Sequence, residues 1–247
     1  MEVIIIRSEE LKEDLYRLNL GINSSFLLKY SEGYLLIDTS FPNDYEKLKE
    51  KIKSIPVEIS DINYILLTHY HHDHSGSAAM LREDADARII AHENAIPWLA
   101  KGDGTVLASW VNLRINIIFS INEFLSKSVK DTSFPPLQMG NNDIIISRDD
   151  NETLRDMGIP GKILCTPGHS NDSISVVLDD GRAFIGDIAV DFPKFLGTYY
   201  RAALIEDSTQ MLESWQKIIN AGAETLYPAH GPSFDVEGLI SAIKKFE

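Results

Sequence analysis

Short apolar runs broken by glycine, asparagine and charged turns dominate the first part of the chain. Residues 3–6, 25–29 and 34–37 read as strands, with Gly21, Asn23 and Gly33 marking the turns. The period changes at residues 45–55, where Leu48, Ile52 and Ile55 recur at helical spacing among charges. Residues 62–67 predict a buried strand. Ser75-Gly76 predicts the opening of a helix through Leu81, and residues 88–91 predict a further strand.

Residues 102–134 differ in character. Gly102-Asp103-Gly104-Thr105 supplies a turn and a helix cap, and no glycine or proline follows until Pro135-Pro136. Leu107, Val111, Ile118, Ile121 and Leu125 share one helical face, and Leu113, Ile115, Ile117 and Phe119 widen it. A helix this apolar is buried or covered by a partner, so the segment reads as a core helix, a lid or a dimer surface. Beyond it the β/α rhythm returns. Residues 162–166, 173–178 and 182–185 read as strands, the last two joined by the turn Asp179-Asp180-Gly181. Residues 207–221 read as a helix capped by Asp207 or Ser208, striped by Leu212, Trp215 and Ile219, and ended by Gly222.

With 247 residues and ordinary hydrophobic content, the chain reads as one domain over 1–247, with a helical insertion at about 102–134. The net charge of −14 argues against a broad nucleic-acid or anionic-membrane surface and leaves a small-molecule substrate as the expected partner. Cys165 is the single cysteine, which excludes an internal disulfide and suits a reducing compartment. The amino-terminal apolar run spans four residues, too short for a secretory signal or a spanning helix, so a cytoplasmic location is expected.

Candidate chemistry concentrates directly after the strand at 62–67. Thr68-His69-Tyr70-His71-His72-Asp73-His74-Ser75-Gly76 holds four imidazoles and a carboxylate within six positions, a donor set suited to divalent transition metals. His69 and His71, two apart in extended chain, can address one metal. Asp73 and His74 lie further round the bend and can address a second. Three later sites add donors beside glycine or proline at strand ends: His169 in Thr166-Pro167-Gly168-His169, Asp187 in Gly186-Asp187, and His230 in Pro228-Ala229-His230-Gly231.

Taken in order, H-x-H-x-D-H, T-P-G-H, G-D and H-G closely resemble the signature of the metallo-β-lactamase superfamily of metal-dependent hydrolases. Leu36-Ile37-Asp38-Thr39 is similar to the family's early strand, whose Asp supports the metal loop. The resemblance implies an α/β fold, a four-layer αβ/βα sandwich with a binuclear site at one edge. It implies His69, His71 and His169 on one metal, Asp73, His74 and His230 on the other, and Asp187 as bridge. The expected cofactor is two divalent ions, with Zn the best fit and Mn or Fe as alternatives. The implied reaction is cleavage of a small ester, thioester or lactone by a metal-bound hydroxide, with Asp73 as the catalytic residue that orients the nucleophile.

Within the superfamily, Asp187 and the missing export signal argue against a true β-lactamase, and the acidic charge against its nucleases. The glyoxalase II and lactonase-like branch remains, although Val190 stands where lactonases carry a tyrosine. The chain also ends soon after His230, which sets an expectation against a carboxyl-terminal glutathione grip. Alternatives are a mononuclear iron oxidoreductase similar to persulfide dioxygenases and a non-catalytic metal-containing binding protein. His72 reads as a neighbour of the ligands rather than one of them, His92 as structural, Cys165 as a buried thiol, and Tyr199 and Tyr200 as packing residues. The apolar insertion sets the expectation of a homodimer.

Overall fold

The computed structural model describes residues 8–126 and 131–246. The strand expected at residues 3–6 lies outside them, as do residues 127–130 and the side chains of Phe119 and residues 121–126. The chain forms two compact units, Met1–Gly104 with Ser133–Ile146, and Thr105–Thr132 with Ser147–Glu247. The fold is mixed α/β, and each unit has its own sheet and apolar core.

The first unit opens with β1 (Glu9–Lys12), β2 (Leu15–Asn19), β3 (Ser24–Tyr30) and β4 (Gly33–Ile37), joined as an antiparallel meander. The helix α1 (Tyr45–Lys53) then buries Leu48 and Ile52, as its helical spacing predicts. Next, β5 (Ile62–Leu66) pairs parallel to β4. The chain turns through α2 (His72–Ser75) and α3 (Ala78–Ala85) into β6 (Arg88–His92), parallel to β5. The helix expected to open at Ser75-Gly76 and run through Leu81 is α3, which begins at Ala78, and the separate short α2 stops just before Gly76. A β-carbon there would lie 2.2 Å from the His72 carbonyl oxygen and 2.4 Å from Pro42 Cδ.

The segment 102–134 departs from the expected continuous helix. Gly102, in the left-handed region at φ 66°, closes the short helix α4 (Ile96–Lys101) instead of opening a new one. Within the second unit, β7 (Ser109–Trp110) comes next and α5 spans only Leu113–Ser126. The helix begins where the Asn112 side chain accepts the Ile115 amide at 3.0 Å. Ile115 is buried, whereas Leu113, Ile117 and Ile118 are 71%, 50% and 46% exposed. An apolar surface therefore remains on this helix, and Leu107 precedes the helix altogether. Back in the first unit, β8 (Ile144–Ile146) completes a seven-stranded sheet beside β6.

The second unit continues with α6 (Thr153–Asp156), β9 (Gly161–Cys165), β10 (Ile174–Leu178) and β11 (Arg182–Gly186). As predicted, β10 and β11 form a hairpin, with Gly181 at φ 86°. The two-residue β12 (Leu204–Ile205) pairs with β7. Asp207 caps α7 (Ser208–Asn220) through the Thr209 and Gln210 amides. The buried face of α7 runs through Met211, Ser214, Trp215 and Ile218, so Leu212 and Ile219 border the core and do not centre it. Finally, β13 (Thr225–Pro228) pairs parallel to β11, β14 (Phe234–Asp235) pairs antiparallel to β13, and α8 (Glu237–Ile243) follows. Because β10 is antiparallel to both β9 and β11, the strands β9, β11 and β13 run the same way.

Tight packing fixes the loop after β9. A β-carbon on Gly168, at φ 141°, would lie 2.5–2.6 Å from backbone and Cβ atoms of Met211. At Gly222, φ 93°, nothing lies within 4 Å. Gly222→Ala is therefore expected to cost about 1–2 kcal/mol through backbone strain alone. Gly168→Ala should cost clearly more, because α7 must also shift. Urea unfolding of both variants checks this, and equal losses would contradict the packing argument.

Candidate metal centre

In the first unit the donors gather at the carboxyl ends of parallel β4, β5 and β6. The Asp38 amide donates to Leu66 O at 2.9 Å, and the Leu67 amide to Ile90 O at 2.9 Å, so the three strands end in register. Asp38 itself sits at φ 61°, a left-handed conformation that Asp tolerates. Its carboxylate, 3% exposed, accepts the Thr68 amide at 2.8 Å and the Thr68 hydroxyl at 2.8 Å. It also meets His74 Nδ1 at 2.8 Å. A carboxylate can only accept, so His74 donates from Nδ1, which leaves Nε2 as the nitrogen free to offer a lone pair to an ion.

The same logic orients His69. The single proton of the Thr68 hydroxyl points to Asp38, so the contact of 3.1 Å between Thr68 Oγ1 and His69 Nδ1 has the imidazole as donor. His69 thereby also offers Nε2. Its ring centroid lies 4.5 Å from that of His71 and 3.9 Å from that of His74. Donor atoms of His69 lie within 4.8 Å of those of His71 and of His74, and those of Asp73 and His74 are equally close. His74 is fully buried, His69 and His71 nearly so, and the Asp73 side chain is 18% exposed.

Backbone anchors hold the loop that carries them. The His74 and Ser75 amides both donate to His71 O at 2.9 Å. The Thr39 amide and hydroxyl donate to His74 O at 2.7 and 2.8 Å, and Asn23 Nδ2 donates to Asp73 O at 2.6 Å. His72 faces elsewhere, edge-on to the Phe41 ring at 5.2 Å, and belongs to no metal-ligand group among the described residues. His92 accepts the Asn94 amide on Nδ1 at 3.1 Å as a cap, and burial pushes its pKa down. Both agree with the non-ligand roles expected of them.

In the second unit the donors sit at the carboxyl ends of the codirectional strands β9, β11 and β13. His169 Nδ1 meets Leu204 O at 2.8 Å. A carbonyl can only accept, so His169 also presents Nε2. The turn before it is pinned to the start of α7: the Glu206 and Asp207 amides donate to Gly168 O at 2.9 and 3.0 Å, and Ser214 Oγ to Pro167 O at 2.7 Å. Asp187 Oδ2 lies 3.8 Å from His169 Nε2 and 3.4 Å from His230 Nε2. The Ala229 amide, bound to Gly186 O at 3.0 Å, sets the His230 turn against the Asp187 turn.

These spacings suit metal donors. With metal–nitrogen and metal–oxygen bonds of about 2.0–2.2 Å, neighbouring ligands of a tetrahedral ion stand roughly 3.4 Å apart. The Asp187 contacts, and the 3.8 Å between Asp73 Oδ2 and His74 Nε2, lie close to that edge. The described residues thus include His/Asp groups that could bind metal ions. All seven donors singled out in the sequence fall within groups that could hold an ion, and Asp38 contacts Thr68 and His74. Sequence reasoning missed Thr68 and the Leu204 carbonyl as ring-orienting partners: the first reads as an ordinary strand end, and a backbone acceptor leaves no trace in residue type. Cys165, expected to be buried, is partly exposed, at the end of the edge strand β9.

Comparison with known proteins agrees with this arrangement. The chain is 25% identical over 213 residues to a Caenorhabditis elegans β-lactamase-like protein 2 homolog, covering 86% of this chain and 57% of that protein. The chain thus spans little more than half the length of such relatives. A hydroxyacylglutathione hydrolase of Rhodopseudomonas palustris is 25% identical over 155 residues, 61% of this chain and 44% of its own. Among solved structures, a Cronobacter sakazakii metallo-β-lactamase with a HARLDQ motif superposes with a TM-score of 0.69 at 19% identity. The match covers 97% of this chain and 91% of that one, a likeness of fold. The family model for the metallo-beta-lactamase superfamily matches residues 18–230, which take in every donor from His69 to His230. This chain belongs to the metallo-β-lactamase superfamily.

Proposed function

We propose that the chain is a binuclear metal-dependent hydrolase that cleaves a small ester, thioester or lactone. In this reading His69, His71 and His169 hold one ion, Asp73, His74 and His230 hold the second, and Asp187 bridges them. One observation carries it. The two histidines beside Asp187 Oδ2, at 3.8 and 3.4 Å, are the ones the family pattern assigns to different ions. A carboxylate close to both supports the bridging role. Five imidazoles and two carboxylates suit Zn best, with Mn or Fe next. The hydroxyacylglutathione hydrolase among the relatives supports the thioester arm.

Bound divalent ions supply Lewis acidity and lower the pKa of water to about 7. The chain supplies the rest. The Asp38–Thr68–His74 contacts and the Leu204 carbonyl set which nitrogen His69, His74 and His169 offer, so these three rings are oriented before an ion arrives. Asp73, whose backbone is tied to Asn23, orients the attacking oxygen and accepts its proton. The acidic net charge of −14 favours a small neutral or cationic substrate over a polyanion.

A panel of esters, thioesters, lactones and phosphodiesters, run on metal-quantified protein, tests the reading directly. Turnover of one of the first three classes, abolished by chelation and restored by metal, is expected; no turnover on any of them would overturn it. Asp73→Asn should lower kcat about 10²–10⁴-fold with the far-ultraviolet dichroism unchanged. Near-normal turnover with full metal would remove Asp73 from its role. Asp38→Asn should weaken metal affinity about 10–100-fold in chelator competition, since an amide cannot accept from both Thr68 and His74. Unchanged affinity would contradict the orienting role of Asp38.

A further inference from the structure

Beyond Asp187 the loop folds back on itself, the Val190 amide donating to Tyr200 O at 2.8 Å. Together with α8 this loop encloses a cavity of about 400 Å³. That volume lies within the range of small-molecule sites, about 300–1,000 Å³. Asp191, Phe192, Tyr199 and Tyr200 line it from the loop, Glu237 from the first turn of α8 and Lys245 from just past its end. The loop also approaches the half-site: a β-carbon on Gly231, next to His230, would lie 3.8 Å from Asp191 O.

The walls are built rather than incidental. Tyr199 and Tyr200 are consecutive non-glycine residues in the left-handed region, at φ 50° and 66°. The Tyr200 ring rests on the bare Cα of Gly238, where a β-carbon would come within 2.7 Å of its Cζ. Burial pushes the Tyr200 pKa up, which keeps the phenol neutral. The fixed charge is two carboxylates against one ammonium, set among three aromatic rings. The ammonium itself, Lys245 Nζ, lies 4.1 Å from the centroid of the Tyr199 ring. One wall thus already holds a cation on an aromatic face.

We propose that this cavity binds an organic ammonium group. Resting on the hydrolase reading above, the substrate is then an ester, thioester or lactone whose non-reacting part carries that cation. Carboxylates at Asp191 and Glu237 and the π faces of Phe192 and Tyr200 supply attraction. Lys245 competes for the same space, which gives its removal a definite sign.

Calorimetric titration of the holoprotein at low salt with choline chloride, against the neutral isostere 3,3-dimethylbutan-1-ol, tests the site without requiring turnover. Choline should bind at least about tenfold more tightly than the alcohol. Glu237→Gln should weaken choline about threefold or more, and Lys245→Met should tighten it several-fold. Equal binding of the two probes, no binding of either, or weaker choline binding by Lys245→Met overturns the site. The kcat/KM of acetylcholine relative to 3,3-dimethylbutyl acetate then reads the substrate class, and a ratio at or below one overturns that assignment. Choline binding with neither ester hydrolysed supports the site while counting against the hydrolase reading, so the two failures are distinguishable.

Discussion

A buried carboxylate accepting three hydrogen bonds is costly to place and costly to disturb, and the first unit is arranged around one. Asp38 is 3% exposed and satisfies itself on the Thr68 amide, the Thr68 hydroxyl and the His74 ring. Desolvating an ionised carboxylate without such partners would cost several kcal/mol. The interaction therefore holds in both directions. The histidine loop keeps the carboxylate satisfied, and the carboxylate fixes the register of β4 against β5 and the tautomer of two imidazoles. Thr68 transmits the constraint, because its one hydroxyl proton is committed to Asp38 and its lone pair to His69.

The second unit reaches the same end with different parts. Parallel direction along β9, β11 and β13 brings three turns to one edge, and the rigid Pro167-Gly168 turn is clamped by the start of α7. Here a backbone carbonyl, Leu204, performs the orienting task that a carboxylate performs in the first unit. Asp187 then stands between two imidazoles. Its separations from the two rings, 3.8 and 3.4 Å, exceed normal hydrogen-bond length and lie close to the spacing of two donors on one ion.

Much of this was legible in the sequence because the site is made of rare residue types beside rigid turns. Each donor follows a short apolar strand and lies beside glycine or within two positions of another donor, a pattern that survives without coordinates. The mixed α/β fold followed from the alternation of short strands and capped helices. The helical segment was misread because periodicity does not reveal where a helix starts. Gly102 ends α4 and Asn112 caps α5, so Thr105 and Leu107 fall outside it. The strands β1 and β2 were not expected because Leu15–Asn19 interleaves Arg17 and Asn19 with its apolar positions and gains its burial from β3. Tyr199 and Tyr200 were expected to pack. Tyr200 does pack, against Phe234 and the second core, and Tyr199 meets Phe246; their left-handed backbone and the cavity they line are what the sequence does not show.

Asp187 is proposed as the bridge of a two-metal site, and a count of bound metal tests that most directly. Purified holoprotein should contain two transition-metal ions per chain by elemental analysis, and Asp187→Asn protein should retain one or fewer. A single iron per chain in the unaltered protein, accompanied by oxygen uptake, would contradict the bridge and the hydrolytic reading together.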